Sequence, residues 1–238
     1  MTEEQNAPSR VVVELGTVEQ PELVRYWTDP ELEGYRTAVA YALRTAEGWV
    51  FVDPLRPTRE DADRLGRLIR ERPVATVLTS DGHERFCYGL REQWGTPVWG
   101  PVLGEAQRDA AYDGQPHRLY AEGDALPGGL RPLKLSGAWR GDHALLWTAP
   151  GGQRVLFSGD LLNGQAEPDV VEEDHYRRRP GLCFGARRGY VERHANPAAL
   201  KASLARLLHE EFDLICGSHA RPFGDDAMAS LARLLDTI

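Results

Sequence analysis

The stretch VATVLTSDGHERF, residues 74–86, decides the fold, because polar and ionisable residues follow directly where an apolar strand runs out. Two later segments repeat this arrangement. RVLFSGD, residues 154–160, ends on Asp160, and DLICGSHARP, residues 213–222, places His219 behind another apolar run. Strand ends of this kind commonly carry functional groups. The sequence therefore predicts a site built from polar clusters at three strand ends.

Composition limits the class of protein. With 238 residues, 42% hydrophobic and 27% charged, the chain is predicted to form one globular domain over 1–238, with residues 1–10 flexible. The formal charge of −8, from 36 acidic and 28 basic residues, argues against nucleic-acid binding as the main role. Small molecules or protein partners fit this charge better, and a small-molecule ligand or substrate is the prediction.

The cysteines and the N-terminus favour a cytoplasmic protein. Three cysteines without a C-x-x-C spacing indicate neither a disulfide framework nor a structural zinc cluster. The first ten residues lack the profile of a signal peptide, and no apolar run approaches membrane-spanning length. We therefore expect a reducing cytosol and no membrane partner.

Apolar periodicity predicts two similar halves. Short runs rich in β-branched and aromatic residues predict strands at 11–15, 35–45, 49–54, 74–79, 96–100, 130–135, 143–148, 154–158 and 213–216. Amphipathic patterns predict helices after Thr58, at 84–94, after Asn196-Pro197 and at the C-terminal end. Strands alternating with helices in both halves favour two sheets with helices on their outer faces. Residues 162–195 fit neither pattern and are predicted to form a long loop or lid.

In motif order, residues 36–236 resemble the metallo-β-lactamase superfamily. Asp53 in VFVDP stands where that family has an aspartate closing an early strand. Asp160 in FSGD resembles the metal-bridging aspartate, and His219 in SHARP resembles the histidine of a closing G-H-G-x-P. The resemblance implies a mixed α/β or α+β fold, a four-layer αββα sandwich with two zinc or iron ions in a cleft at the sheet edges.

The chain departs from the family at most of the metal ligands. The family's T-H-x-H-x-D-H falls on residues 79–85, so Ser80, Gly82 and Arg85 stand in place of its three histidines. Glu84 replaces the motif aspartate, and Ala138 replaces the histidine of a later P-G-H-T segment. A binuclear site needs about four well-placed donors for each ion. The pattern therefore predicts a degraded site without two ions.

Asp160 then needs another positive partner, and two alternatives remain open. Arg85 could form an ion pair with Asp160 and replace the charge of the metal. A single Zn, Mn or Fe ion could instead bind Glu84, Asp160 and His219, with His83 as a fourth donor or a general base. The ion pair is the favoured prediction, so no metal cofactor is expected.

A shift of one residue in the alignment would place Asp81 and His83 at the i, i+2 spacing of the family's first two ligands. The predicted catalytic residues are His83, Asp160 and His219. Four other residues are candidates for ligand binding, Asp81, Glu84, Arg85 and Trp139, the last because it follows the lost histidine position. No motif surrounds His194 in the sequence, so His194 is predicted to lie at the surface.

Three functional hypotheses follow. The first is a metal-independent protein that binds a small molecule in a cleft lined by His83, Arg85, Asp160 and His219. The second is a mononuclear hydrolase of an ester, thioester, lactone or phosphoester, which chelators would inactivate. The third is a metal-free acid–base catalyst with His83 or His219 as general base, whose turnover would resist chelators.

Overall fold

The structure is a computed structural model that describes residues 11–27, 38–103, 112, 114, 116, 118–164, 181–185, 194 and 196–237. The predicted flexible segment 1–10 lies outside these ranges, as does most of the predicted loop or lid at 162–195.

The first half of the chain forms one seven-stranded sheet in sequence order. Its strands are β1 (Val11–Gly16), β2 (Pro21–Trp27), β3 (Val39–Thr45), β4 (Gly48–Val52), β5 (Pro73–Val77), β6 (Val98–Pro101) and β7 (Arg118–Tyr120). Strands β1 to β4 pair antiparallel, whereas β4 to β7 pair parallel. Because β4 and β5 are parallel neighbours, the residues that follow them meet at one edge of the sheet.

The second half adds six strands, β8 (Arg131–Lys134), β9 (His143–Thr148), β10 (Arg154–Gly159), β11 (Leu162–Asn163), β12 (Cys183–Phe184) and β13 (Leu214–Gly217). Four of them form a sheet in the order β13-β10-β9-β8, and β11 pairs with β12. Strand β10 is antiparallel to β9 and parallel to β13. The residues that follow β10 and β13 therefore also lie side by side.

The two sheets pack face to face, and helices cover both outer faces. The helices in the described ranges are α1 (Arg59–Ile69), α2 (Cys87–Trp94), α3 (Pro197–Arg206) and α4 (Ala227–Leu235). In β3, Tyr41 and Leu43 join an inner core with Phe157 of the second sheet, while Ala40 and Ala42 face the layer of α1 and α2. This alternation is the period-2 pattern of a strand buried on both sides. The predicted four-layer αββα sandwich is confirmed.

The outer face of the second sheet packs against the C-terminal helices. Leu146 and Ile215 of that sheet share a buried cluster with Leu204 of α3 and Leu231 of α4. The described part of the chain also has three short 3₁₀ turns, at Asp81–His83, Pro127–Gly129 and Leu207–His209. No helix in the described ranges is long and apolar enough to cross a membrane.

Helix α1 begins at the predicted capping residue. The Thr58 hydroxyl oxygen accepts a hydrogen bond from the Asp61 backbone N–H at 3.1 Å, and it donates to the Asp61 carboxylate at 3.0 Å. We expect Thr58→Ala to lower the free energy of unfolding by about 1 kcal/mol, because one N–H at the helix start then loses its partner. Urea unfolding of the variant measures the loss, and Thr58→Ser should restore most of it.

The predicted helix at 84–94 is wrong at its start. Residues Asp81–His83 form a 3₁₀ turn and α2 begins only at Cys87, since Arg85 has a positive φ of 37°. A left-handed residue cannot continue a right-handed helix. His83 and Cys87 therefore do not share a helix face. Cys87 is buried, and His83 belongs to the turn at the end of β5.

Candidate active site

Asp53 anchors the site at the end of β4. Its backbone has a positive φ of 48°, and its side chain is only 3% exposed. The carboxylate accepts from the Thr79 N–H at 2.8 Å and from the Thr79 hydroxyl at 2.6 Å. The Nδ1–H of His83 donates to the same carboxylate at 2.9 Å. These hydrogen bonds fix the orientation of the His83 imidazole.

His83 reaches across to the second sheet. Its Nε2 lies 3.1 Å from Oδ1 of Asp160, the residue that follows β10. The backbone leaves room for this contact because Gly159, with φ of 56°, has no side chain; a Cβ there would lie 2.8 Å from the Thr79 hydroxyl. Any larger residue at 159 would push the end of β10 away from His83.

His219 approaches the same carboxylate from the end of β13. Its Nε2 lies 3.0 Å from Asp160 Oδ1. The side chain of Asn163 fixes both residues, because its amide N–H donates to the Asp160 carbonyl at 3.0 Å and its amide oxygen accepts from the His219 N–H at 3.0 Å. Asn163 is fully buried, and no sequence motif points to it.

These contacts form a continuous row of charged and imidazole groups, Asp53–His83–Asp160–His219, which we name the carboxylate–imidazole relay. Burial and the Arg85 guanidinium both lower the pKa of His83, but the carboxylates of Asp53 and Asp160 outweigh them and raise it from 6.5 to about 9. Burial raises the pKa of Asp160, yet His83 and His219 together hold it well below its usual range. At neutral pH His83 is therefore an imidazolium between two carboxylates.

The predicted ion pair between Arg85 and Asp160 is wrong. Arg85 Nη1 donates to the carbonyl of Val39 at 3.4 Å, and the imidazoles that contact Asp160 in the described part of the chain belong to His83 and His219. The left-handed backbone at Arg85 sets the direction in which its side chain leaves the turn. Arg85 still acts on the site through its charge, since it lowers the pKa of His83.

Glu84 does not join Asp160 and His219. Its Oε1 accepts from the hydroxyl of Tyr88 and, at 3.1 Å, from the N–H of Gly114. The metal set predicted from Glu84, Asp160 and His219 is thus not assembled, because Glu84 is directed to α2 and the segment near 114. His83, rather than Glu84, contacts Asp160 together with His219.

Asp81 is buried and bound to the connection between β8 and β9. Its carboxylate accepts from Arg140 at 3.0 Å and from the Gly141 N–H at 3.0 Å. The alternative alignment, in which Asp81 and His83 would be paired ligands, finds no support, since the two side chains have different partners. Asp81 fixes the connection that carries Trp139.

Trp139 and His194 lie together. The Trp139 indole is 53% exposed, and its ring centre is 5.4 Å from that of His194 at an interplanar angle of 49°. The Trp139 backbone N–H donates to His194 Nδ1 at 3.2 Å. His194 is 8% exposed, so its predicted surface position is wrong. Only the tertiary contact reveals it, because the nearest sequence neighbours of His194 carry no motif.

The donor set does not fit the two metal ions that the fold implies. Ser80, Gly82 and Ala138 offer no imidazole where the family pattern has histidines, and Ser80 Oγ accepts from the Gly82 N–H at 3.2 Å. Within the described ranges, no group of three or more His, Cys, Asp or Glu side chains is arranged to hold a metal ion.

Comparison with known proteins identifies the fold. No protein-family model matches the sequence, and no curated protein matches it. Among solved structures, TTHA1623 in a di-iron-bound form is 24% identical with a TM-score of 0.53, over 84% of this chain and 95% of that one. The metallo-β-lactamase from Pontibacter korlensis is 15% identical with a TM-score of 0.58, over 91% and 96%. DIM-1 metallo-β-lactamase is 11% identical with a TM-score of 0.60, over 96% and 98%.

The chain therefore has the metallo-β-lactamase fold, as the sequence motifs predicted. At these identities the likeness concerns the fold, and function has to be argued from the site itself.

Proposed function

We propose that this chain is a metal-independent protein of the metallo-β-lactamase fold that binds or converts a small molecule beside the carboxylate–imidazole relay. One observation carries the proposal. A single carboxylate oxygen of Asp160 lies between two imidazole nitrogens, at 3.1 Å from His83 and 3.0 Å from His219.

Charge supports this proposal. The Asp160 side chain is 39% exposed, so solvent screens its charge in part, and a positive partner stabilises it less than in a fully buried pair. Protonated His83 supplies that charge from a buried position, since its pKa is raised to about 9. The role that the sequence analysis gave to Arg85 thus passes to His83.

The same charges decide which histidine can act as a base. His83 is protonated at neutral pH, and both of its nitrogens donate to carboxylates, so it has no basic nitrogen to offer. Ionised Asp160 only accepts hydrogen bonds, so His219 donates to it from Nε2. Within this proposal, proton transfer falls to the other ring nitrogen of His219, Nδ1. We assign the general base to His219 and the support of Asp160 to His83.

The proposal is tested by the metal content of the purified protein and by the effect of metal removal on turnover. Untagged protein is purified without added metal or chelator, and its metal content is measured by elemental analysis. Turnover of an aryl ester, a thioester, a lactone and a phosphoester is then measured before and after dialysis against EDTA. We expect less than one metal ion for each chain and the same turnover, or the same ligand-induced thermal shift, in both samples. His219→Gln should lower any turnover about a hundredfold, since proton transfer by a positioned base contributes at least that much.

His209→Gln is the matched control, because His209 is an exposed histidine at the end of a 3₁₀ turn outside the relay. It should leave turnover and melting temperature unchanged. A stoichiometric ion in the purified protein, together with turnover that EDTA abolishes, would contradict the proposal.

A mononuclear hydrolase of an ester, thioester, lactone or phosphoester is the second candidate. One observation favours it: Asp160, His83 and His219 lie together and are residue types that bind Zn, Mn or Fe, although their present contacts are with one another and are not arranged around an ion. Asp53 lies behind His83 as carboxylates lie behind metal-bound histidines. An ion at His83 would first have to displace a proton. With a pKa of about 9, this costs roughly 3 kcal/mol at pH 7.

We also propose a cytoplasmic location and a small-molecule partner, with neither nucleic acid nor a membrane as partner. Cys87, Cys183 and Cys216 are all buried free thiols, which suits a reducing compartment. The net charge of −8 disfavours binding to phosphate backbones.

A further inference from the structure

A groove lies between α1 and α2, above the outer face of the first sheet, and we name it the α1–α2 groove. It encloses about 470 Å³, a size that suits a small molecule. Tyr26 of β2 and Phe51 of β4 form its floor, and Phe86, Leu90 and Trp94 line it on the side of α2. None of the described residues that line the groove belongs to the relay, so it is a separate site.

Helix α1 leaves the groove open at two small residues. Ala62 and Gly66 are four positions apart, so they lie on the same face of the helix, and both line the groove. A Cβ built on Gly66 would meet no atom of the described chain within 4 Å, apart from its chain neighbours and the backbone of its own helix. Glycine inside a helix is less stable than alanine, yet neither a close contact nor a left-handed backbone requires it here. The open space beside Gly66 is therefore available to a ligand.

The lining of the α1–α2 groove is rich in aromatic rings. Tyr26 and Phe51 meet edge to face, with ring centres 6.0 Å apart and an angle of 83° between the planes. Phe86 and Trp94 are half-buried, so part of each side chain remains accessible in the groove. Such a lining favours a ligand that is itself aromatic, because pairs of rings are stabilised beyond the area they bury.

One end of the groove carries positive charge. Arg70 and Arg72 line it, both side chains are exposed, and within the described chain neither forms an ion pair. Arg70 Nε donates to the Arg67 carbonyl at 3.0 Å, which uses one of the five N–H groups of its guanidinium. These two guanidinium groups are the candidates for binding a negative charge.

The acidic residues of the groove do not cancel this charge. Glu71 is already paired with Arg44, whose Nη1 lies 2.9 Å from the Glu71 carboxylate. Asp63 is seven residues before Arg70 in the chain, which places it about 10 Å away along the axis of α1. Asp63 therefore lies toward the other end of the groove, and the end at Arg70 keeps a net positive charge.

Both helices end beside these arginines, and their ends reduce the charge. Helix α1 stops at Ile69 and α2 at Trp94, and a Cβ built on Gly95, the cap of α2, would lie 2.9 Å from Arg72 Nη2. The carbonyl end of a helix is equivalent to about half a negative charge. Two such ends offset about one of the two positive charges, so the place suits an anion with a single charge.

We propose that the α1–α2 groove binds a small aromatic carboxylate, with its ring among the aromatic side chains of the groove and its carboxylate at Arg70 and Arg72. Guanidinium groups match carboxylate oxygens in both geometry and charge. This second ligand binds whether or not the relay is free of metal.

The charge is tested with two ligands of the same shape. Naphthylacetate and naphthylacetamide are titrated separately into the full chain at pH 7, and calorimetry gives the dissociation constants. We expect the carboxylate to bind about tenfold more tightly, because hydrogen bonds between two charged groups are stronger than those of a neutral amide. In the double variant Arg70→Gln, Arg72→Gln this preference should disappear, whereas the amide should bind as it does to the wild type.

Gly66→Leu tests the position of the ligand. The leucine side chain projects into the open space beside α1, so both ligands should bind about tenfold more weakly, since they lose apolar area that they would bury there. Leucine is the better helix former, so the melting temperature should not fall. Ala202→Leu is the matched control, because Ala202 is exposed on α3, which covers the second sheet, and it should leave both affinities unchanged.

Equal affinity of the wild-type protein for the two ligands, or no binding of either, overturns the carboxylate site. Undiminished binding to Gly66→Leu also overturns it, since the ligand then lies elsewhere. If the groove variants behave as expected while the purified protein holds a stoichiometric ion and loses turnover in EDTA, the groove stands and the metal-independent function fails. If the protein is free of metal with unchanged turnover but neither ligand binds, the function stands and the groove fails.

Discussion

Replacing Asp53 with alanine should lower the free energy of unfolding by about 3 to 5 kcal/mol, which is the usual cost of removing one partner from a buried ion pair. The carboxylate is almost fully buried and bonds to Thr79 twice and to His83 once. Its loss leaves an imidazolium and a backbone N–H without their acceptor. Urea unfolding at pH 7 measures the difference.

Two further variants serve as references for the loss of stability measured in Asp53→Ala. Asp53→Asn keeps an acceptor of the same shape but loses the charge, so it should fall between wild type and Asp53→Ala. Asp213 is an exposed aspartate that accepts from the Arg154 N–H at 2.8 Å, and Asp213→Ala should cost no more than about 1 kcal/mol. If Asp53→Ala is no worse than Asp213→Ala, the relay does not stabilise the fold.

The second large effect is a fall in stability as the pH rises. The pKa of His83 is about 9 in the folded protein and 6.5 when exposed, so the native state binds this proton more tightly. The resulting stabilisation is fully present below pH 6.5 and is lost as the pH rises through 9. Its size is roughly 3 kcal/mol, and the free energy of unfolding measured by urea at several pH values reveals it.

Asp142 and Cys87, whose pKa values are also shifted, titrate mainly outside the range from pH 7 to pH 9. Burial and the nearby carboxylates of Asp160 and Asp81 raise the pKa of Asp142 from 3.8 to about 7, although the charge of His83 opposes them, so its contribution falls mainly below pH 7. Burial raises the pKa of Cys87 from 9 to about 12, which adds a loss only above pH 9. His83→Gln should therefore flatten the profile between pH 7 and 9. A profile as steep as that of wild type would show that His83 is not the group responsible.

Much of the fold could be predicted from apolar periodicity, because the strands of this sandwich alternate regularly between two buried faces. The strand predicted at 143–148 is β9 with the same bounds. Strand β2, by contrast, was missed, since its charges interrupt the apolar pattern. Arg25 in that strand is 2% exposed and forms an ion pair with Glu14 of β1. A charged residue such as Arg25 is expected at the surface from sequence patterns, and only its pairing with Glu14 on the neighbouring strand explains why it is buried.

The site was predicted less completely than the fold. The ends of β5, β10 and β13 do bring His83, Asp160 and His219 together, as the repeated motif indicated; their chemical roles stay predictions. The partners of Glu84 and Arg85 could not be predicted, because spacing along a chain does not give the direction of side chains around a turn with a left-handed residue. His194 and Asn163 act through contacts with residues far away in the sequence.

The relay joins residues from both halves of the chain. Asp53 and His83 belong to the first sheet, Asp160 and His219 to the second, and the Val39 N–H donates to the Ser218 carbonyl at 2.7 Å beside them. Since His219 follows β13, the row of groups cannot close before synthesis has passed that strand. A nascent or truncated polypeptide that ends before β13 contains Asp53, His83 and Asp160 but lacks His219, so the relay is complete only after residue 219 has been translated and β13 has joined its sheet.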